Sequence, residues 1–595
     1  MWGVAATVVA AALVLAGCTG TPAAVVTGSA VVVASEEMFT STNTSTAYGN
    51  SAINRSLAYA TNAGFSYYNS DGELVADTSF GSIRKLSDDP LVVRYTVADG
   101  VTWSDGTPVD ATDLLLAWAA GSGIYNDPGV DPVSLTDPIT GDLGTVPAGL
   151  VYFDSRATND GLARVTAFPE VSEDNLSITM HYDSVYADWQ KAFWSPTSPG
   201  LPAHVVGRHA LGAETAGAAK DAVRRAIAKD DRVALAKISQ EWNNGFTVVD
   251  MPSDVDQLVS TGPYTITDVL AGQYVVLTAN KNYHGERQPK IEQLTVRTVS
   301  DPVASVQAML GGALQVITPT PSPEVVQALG EISVTTATGY RDVFEHLDLV
   351  AANSASGAFD DQRVREAFLK VVPRTQIVTD LIGPVQPDAT TRDSYLFMPG
   401  TKDYRTTVTA NGSKAYADVD VPGAVALLEA AGATSPTVCI LFDPKDARRA
   451  AEFTLVANSA AQAGFVVTNC SSDDWKTRLG TPQSYDAVLY GSPAATSSTQ
   501  LTATFSTQGS ENFTSYSNPD VDGLLAKLAV ELDPAQHTAL LRQLDAVLWS
   551  DGYGAPLFQN VAITAYDQKR VTNVSPSATP AGVFWNVWDW APVYP

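Results

Sequence analysis

Apolar and polar positions change rhythm along the chain, and each rhythm predicts an element. Residues 2–17 form one uncharged apolar run that ends at Cys18. At about 1.5 Å per residue the run is short for a bilayer span and right for a signal-peptide core. Residues 19–30, built of Thr, Gly, Pro, Ala, Val and Ser, read as a small-residue tether. Val31–Ala34 reads as a first strand. Leu91–Val97 predicts another, and Gly100–Pro108 a turn-rich hairpin. Asp110 is placed to cap a helix, with Asp113 in its first turn and Leu114, Leu115 and Trp118 on its buried face. Residues 121–149 are a long excursion rich in Gly, Asp and Pro. Residues 210–243 are Ala-rich with Lys and Arg interleaved, which predicts one or two solvent-exposed helices.

Further on, Tyr264–Ile266, Tyr274–Leu277 and Leu294–Arg297 predict antiparallel strands. Asp360 is expected to cap a helix burying Val364, Ala367, Phe368, Val371 and Val372, with Pro373 as its stop. Residues 437–490 alternate strand, helix, strand, short helix, strand. Such a βαβαβ unit implies a parallel sheet. Asn518-Pro519 and Asp533-Pro534 each set a cap before a first-turn proline. The helices they open present Val521, Leu524, Leu525 and Leu528, then Leu540, Leu541, Leu544, Val547 and Leu548.

Length and composition narrow the function. At 595 residues the chain has room for three to five domains or large lobes. Only 17% of residues are charged, and the net charge is −28. Nucleic acid as a partner is disfavoured, because neutralising phosphates needs clustered Lys and Arg. A polybasic membrane contact is disfavoured for the same reason. The 22 Tyr, 18 Phe and 11 Trp are core-forming and exclude coiled coil and wholesale disorder. The three cysteines and six scattered histidines show no metal-binding spacing, so neither metal nor cofactor is expected. No Gly-x-Ser-x-Gly elbow, Walker-type loop or strand-borne Gly-x-Gly-x-x-Gly occurs, and the chain is not read as an enzyme.

Leu15-Ala16-Gly17-Cys18 resembles a bacterial lipobox. That resemblance implies lipid attachment at Cys18 and a place outside the cytoplasmic membrane, held to the bilayer by the acylated cysteine. A second resemblance covers residues 90–560. Trp103-Ser104-Asp105-Gly106 is similar to a Trp-x-Asp-Gly signature, and Ser260-Thr261-Gly262-Pro263-Tyr264 to Gly-Thr-Gly-Pro-Tyr. Asn280-Lys281-Asn282-Tyr283, Phe359–Ala367, Asp420–Gly432 and Tyr516–Asp522 follow in the same order. Together they resemble the dipeptide- and oligopeptide-binding (family 5) class of ABC-importer solute-binding lipoproteins, in an actinobacterial form.

The resemblance implies an α/β, bilobed fold like that of periplasmic binding proteins, with an extra subdomain and the ligand cleft between lobes. Lobe I is expected to gather 31–70, 196–310 and 545–595. Its subdomain is expected at 71–195, and lobe II at 311–544. The implied function is capture of a peptide-like or other small polar solute by hinge closure, as a monomer, and delivery to an ABC permease and ATPase. The alternative is a non-transport lipoprotein of the same fold, a regulator or scaffold in cell-envelope biosynthesis.

The chain departs from the family where a peptide's ammonium would be read. The peptide binders supply an aspartate after the last strand of the βαβαβ unit. Here Tyr490 can stand for the neighbouring aromatic, but Gly491–Ser498 carries no acid. A buried ammonium without its countercharge costs several kcal/mol. The hydroxyl-rich run 38–50 and the run 492–500 are expected to face one another across the cleft. The candidate ligand-binding residues are accordingly Tyr48, Asn50, Tyr490, Ser492, Thr496 and Tyr516. With Cys18 acylated, Cys439 and Cys470 are the two thiols left in an oxidising compartment. They sit on neighbouring strands of the βαβ crossover, which predicts a disulfide.

Overall fold

Short runs of Val, Ile and Leu, separated by turns, supply ten strands to one mixed sheet. The structure is a computed structural model that describes residues 25–593 apart from 70–72, 138–141, 157–160, 194–199, 249 and 496. The signal run, Cys18, residues 19–24 of the tether and Thr496 lie outside the described residues. In chain order the strands are β1 (Val26–Ser35), β2 (Tyr264–Leu270), β3 (Tyr274–Ala279), β4 (Ile291–Thr298) and β5 (Val316–Ile317). There follow β6 (Thr335–Leu349), β7 (Thr437–Leu441), β8 (Val466–Asn469), β9 (Ala487–Pro493) and β10 (Gly554–Tyr566). Their spatial order is β8-β7-β9-β6-β10-β5-β1-β4-β3-β2. The fold class is α/β, as expected.

Strand β1 starts earlier than the hydropathy suggests. Val26 already pairs with Ile291, and Ala30 with Gln293, so residues 26–30 are ladder and not tether. The physical reason is hydrogen bonding: Val26 N–H donates to the Lys290 carbonyl at 2.9 Å, and β4 satisfies backbone groups that a tether leaves to water. β1 runs parallel to both β4 and β5, while β2, β3 and β4 form an antiparallel meander. β7 runs parallel to β8 and β9, the pairing that the βαβαβ pattern predicts.

Three apolar cores carry most of the burial. One lies under β6, β7 and β9 and is closed by helices Gln362–Leu369, Val421–Ala431 and Ala447–Ala461. A second lies under β1 to β4 and takes Ile53 and Leu57 from helix Ala52–Thr61. The third surrounds a separate antiparallel sheet of Gly81–Asp88, Leu91–Val97, Glu170–Val171 and Ser177–His181, covered by helix Ala111–Ser122. Helices Ala203–Leu211, Ala216–Ala228 and Arg232–Asn244 bury Val205, Val223, Leu235 and Trp242 in this third core. Their Lys and Arg hide an apolar stripe, so the segment 210–243 is half inside the molecule and not a solvated pair of helices.

The caps follow local chemistry. Asp110 accepts from the Thr112 N–H at 2.8 Å, and Asp113 returns the bond to the Asp110 N–H at 2.9 Å, a reciprocal capping box. Asn518 and Asp533 cap their proline-led helices. The helix over Gln362–Leu369 is capped by Asp361, not Asp360. Asp361 has extended backbone and accepts from the Arg363 N–H at 2.8 Å, whereas the Asp360 N–H is spent on the Gly357 carbonyl in the preceding turn.

Cys439, on β7, and Cys470, one residue past β8, are disulfide-bonded with their Cα atoms 5.6 Å apart. The bond closes a loop 31 residues long, which is worth about 3–4 kcal/mol in the chain-entropy account. Thiol titration of the denatured, unreduced protein is therefore expected to find neither cysteine reactive, and both after reduction. Two free thiols without reductant would contradict the bridge.

Candidate functional site

Alternation along β6 builds the site. Phe344, His346 and Asp348 project from one face, and Glu345, Leu347 and Leu349 from the other. β9 lies antiparallel beside it, with Phe344 opposite Ser492 and His346 opposite Tyr490, so these side chains share the first face. Together with Tyr395, helix Ser498–Phe505, the loop carrying Glu511 and Phe513, and Tyr553 ahead of β10, they line a cleft of about 260 Å³. That is the small end of the size range of ligand pockets, room for a compact organic solute.

Asp348 is the polar centre, with only 1% of its surface exposed. The Tyr395 hydroxyl donates to its Oδ1 at 3.1 Å and the Tyr490 hydroxyl to its Oδ2 at 3.2 Å. Burial, then the charge of Asp348, hold both hydroxyls well above the usual tyrosine range, so both act as donors. His346 Nδ1 lies 2.9 Å from Asp348 Oδ1 but out of line for a hydrogen bond. Its Nε2 is 2.9 Å from Ser492 Oγ. The His346 and Tyr490 ring centres are 4.2 Å apart. Gly554, paired with Asp348 across β6 and β10, makes room for this arrangement: a Cβ there would come within 2.6 Å of the Tyr395 hydroxyl.

The opposite face of β6 is bound to the fold by charge. Glu345, fully buried, accepts from Arg448 at 2.9 Å and Arg449 at 2.7 Å, both from helix Ala447–Ala461. Although burial alone would raise it, the two guanidiniums hold the Glu345 carboxyl below its ordinary value. Among the described residues no three His, Cys, Asp or Glu side chains come together to hold a metal.

A second contact braces the wall of the cleft from outside. Ser498, at the start of its helix, donates its backbone N–H to Asp188 Oδ2 at 2.7 Å, and Lys191 donates to Asp188 Oδ1 at 2.8 Å. The Ala187 N–H reaches the Ala529 carbonyl at 2.9 Å. This strap ties the unit built on the four-stranded sheet to the wall of the cleft.

The residues proposed from sequence divide. Tyr490 and Ser492 meet in the cleft. Thr496 lies outside the described residues. Tyr516 is buried beside the cleft, not on it: its hydroxyl donates to Asp551 at 2.6 Å, and its ring meets Tyr553 edge-on at 5.2 Å. Tyr48 and Asn50 are not among the lining residues. Asn50 is engaged by Arg55, which donates to its side-chain oxygen at 3.0 Å. The hydroxyl-rich run around them is consumed internally: Ser41 donates to the Phe246 carbonyl at 3.0 Å and Asn43 to the Trp242 carbonyl at 2.8 Å. Asp348, His346 and Tyr395 were not singled out from sequence. For Asp348 and His346 the signal is an ionisable pair alternating with Leu347 and Leu349 in a strand otherwise fit for a core; Tyr395, outside any strand, carries no such signal.

Comparison with known proteins agrees with this architecture. Residues 245–514 match the model for bacterial extracellular solute-binding proteins, family 5 middle region. A Mycobacterium tuberculosis protein described as an uncharacterized lipoprotein is 27% identical over 601 residues, covering 98% of this chain and 95% of its own. The oligopeptide-binding protein OppA of M. tuberculosis is 22% identical over 514 residues, covering 83% of this chain and 74% of its own. Among solved structures, the periplasmic EDTA-binding protein EppA aligns with a TM-score of 0.75 at 18% identity, over 95% of this chain and 97% of that one. Bacillus subtilis AppA in complex with a nonapeptide aligns at 0.63 and 15% identity, over 95% of this chain and 99% of that one. Among the described residues no helix is long and apolar enough to cross a membrane. The middle region of the chain, residues 245–514, is thus similar to the family 5 extracellular solute-binding proteins, and the whole chain shares the fold of solved periplasmic binding proteins.

Proposed function

We propose that this protein is a lipid-anchored receptor on the outer face of the cytoplasmic membrane, which captures a peptide-like or other small polar solute and hands it to an ABC permease and ATPase. The observation that carries the reading is the cleft: aromatic walls around a buried carboxylate, strapped from outside by Asp188. In this reading the two lobes meet along β6 and β10, and the subdomain extends beyond 195 to about 246, since its core takes in Trp242 and Phe246. Solute binding selects the closed arrangement, because contacts such as Asp188 to Ser498 form only when the walls approach.

The strap has a pH sign. Although burial raises the Asp188 carboxyl, Lys191 and the Ser498 N–H outweigh it, and the group titrates below its ordinary value. Its contribution is complete above the ordinary carboxylate range and is lost as pH falls through the depressed value. Asp188→Asn is expected to enlarge the radius of gyration at neutral pH, whereas the unaltered protein expands only in acid. Equal scattering profiles at pH 7 would remove the strap from the account.

Native mass spectrometry of the purified protein tests the receptor role: a retained solute is expected, lost on denaturation. Tyr490→Ala should weaken its retention by about 1–3 kcal/mol, the usual loss when a buried aromatic anchor is truncated. Unchanged retention would move the site elsewhere. Cys18→Ser is expected to release the protein from the membrane fraction or leave it unprocessed, and unaltered fractionation and size would exclude the lipid anchor.

A further inference from the structure

The charge of the cleft points to the chemistry of its solute. Asp348 is buried, yet among the described residues no Lys or Arg forms an ion pair with it; His346 is the basic group at its side. The contrast is Glu345, one face away on the same strand, which holds two arginines. Arg392 lies behind Phe344, 3.9 Å from its ring centre, but spends its N–H groups on the Ser394 and Tyr395 carbonyls and the Gln559 side chain. The other charged residue on the lining is Glu511, exposed near the mouth. Tyr553 also feels the Asp348 charge, and burial holds its hydroxyl well above the usual range, so it too stays a neutral ring.

A carboxylate taken out of water needs a countercharge or full hydrogen bonding, and two tyrosine hydroxyls supply part of the latter. Ring faces attract cations by their quadrupole, most strongly where water is excluded. Beside the His346 imidazole, six phenylalanine and tyrosine rings line this cleft: Phe344, Tyr395, Tyr490, Phe505, Phe513 and Tyr553. Resting on the reading of this cleft as the solute site, we propose that it takes an organic ammonium, with the cationic nitrogen among the tyrosine rings facing Asp348 and an apolar body along Phe505 and Phe513.

The test is calorimetric titration of the purified full chain with three probes of one shape: 4-phenylbutylammonium, 4-phenyl-1-butanol and 4-phenylbutyrate. The ammonium should bind at least about tenfold more tightly than the alcohol, and the carboxylate most weakly. Asp348→Asn should cost the ammonium about tenfold or more and leave the alcohol unchanged, which also shows that the variant keeps its cleft. Equal or tighter binding of the alcohol or carboxylate, or an ammonium affinity untouched by Asp348→Asn, overturns the inference. Ala495→Trp, which fills the cleft, separates the two failures. If the neutral or anionic probe binds and this variant abolishes it, the site stands and the ammonium falls. If no probe binds and retained solute is indifferent to Ala495→Trp, the cleft reading falls and takes the inference with it.

Discussion

Strands β6 and β10 hydrogen-bond to each other over most of their length, from Thr335 opposite Tyr566 to Asp348 opposite Gly554. Every other part of the sheet hangs on this ladder. On one side β10 passes the sheet to β5 and β1, and on the other β6 passes it to β9 and β7. The burial of β6 changes along its course: its first nine residues are half-buried or exposed, and its last six are buried. The register shifts between the two stretches, after Tyr340 opposite Val561. An irregular ladder bends and twists where pairing is interrupted, which suits a segment that joins two separate cores.

The same strand separates two uses of buried acid. Glu345 faces a helix that brings two arginines, and the result is a cross-link between sheet and helix. Asp348 faces a cleft that brings tyrosines and one histidine, and its charge is left for the cavity. One residue of register would exchange these faces and destroy both arrangements, so the hydrophobic partners Leu347 and Leu349 hold the site in place as firmly as its own hydrogen bonds do. Gly491 and Gly554 serve the same geometry. A Cβ at Gly491 would come within 3.2 Å of the Glu345 carboxylate, and one at Gly554 within 2.4 Å of the Leu347 carbonyl.

The wall of the cleft is not self-contained. Helix Ser498–Phe505 supplies Thr504 and Phe505 to the lining, and its first N–H groups have no partner inside the helix. Ser497 caps one at 3.3 Å from Gln500 N, and Asp188, from a distant stretch of chain, takes the Ser498 N–H. A carboxylate at a helix N-terminus also meets the positive end of the helix dipole. The wall thus depends on a unit that contributes none of its described residues to the lining.

Local rules made much of the fold readable from sequence. The strand over Leu91–Val97, the Asp110–Asp113 capping box, the proline-led helices after Asn518 and Asp533, and the βαβαβ unit with its cysteine pair all depend on neighbours within a few turns of chain. Motif order carried the resemblance to the family 5 binding proteins. The candidate site was legible only at Tyr490 and Ser492. The run 38–50 looked like a ligand surface because hydroxyls and amides serve solvent, solute and backbone alike; only the tertiary structure shows Trp242 and Phe246 taking them. Asp348 looked unremarkable because a single acid in an apolar strand carries no record of its partners. Whether such an acid becomes a cross-link, like Glu345, or the charge of a cavity is decided by what packs against its face, and those groups come from residues 395, 490 and 553, far away along the chain.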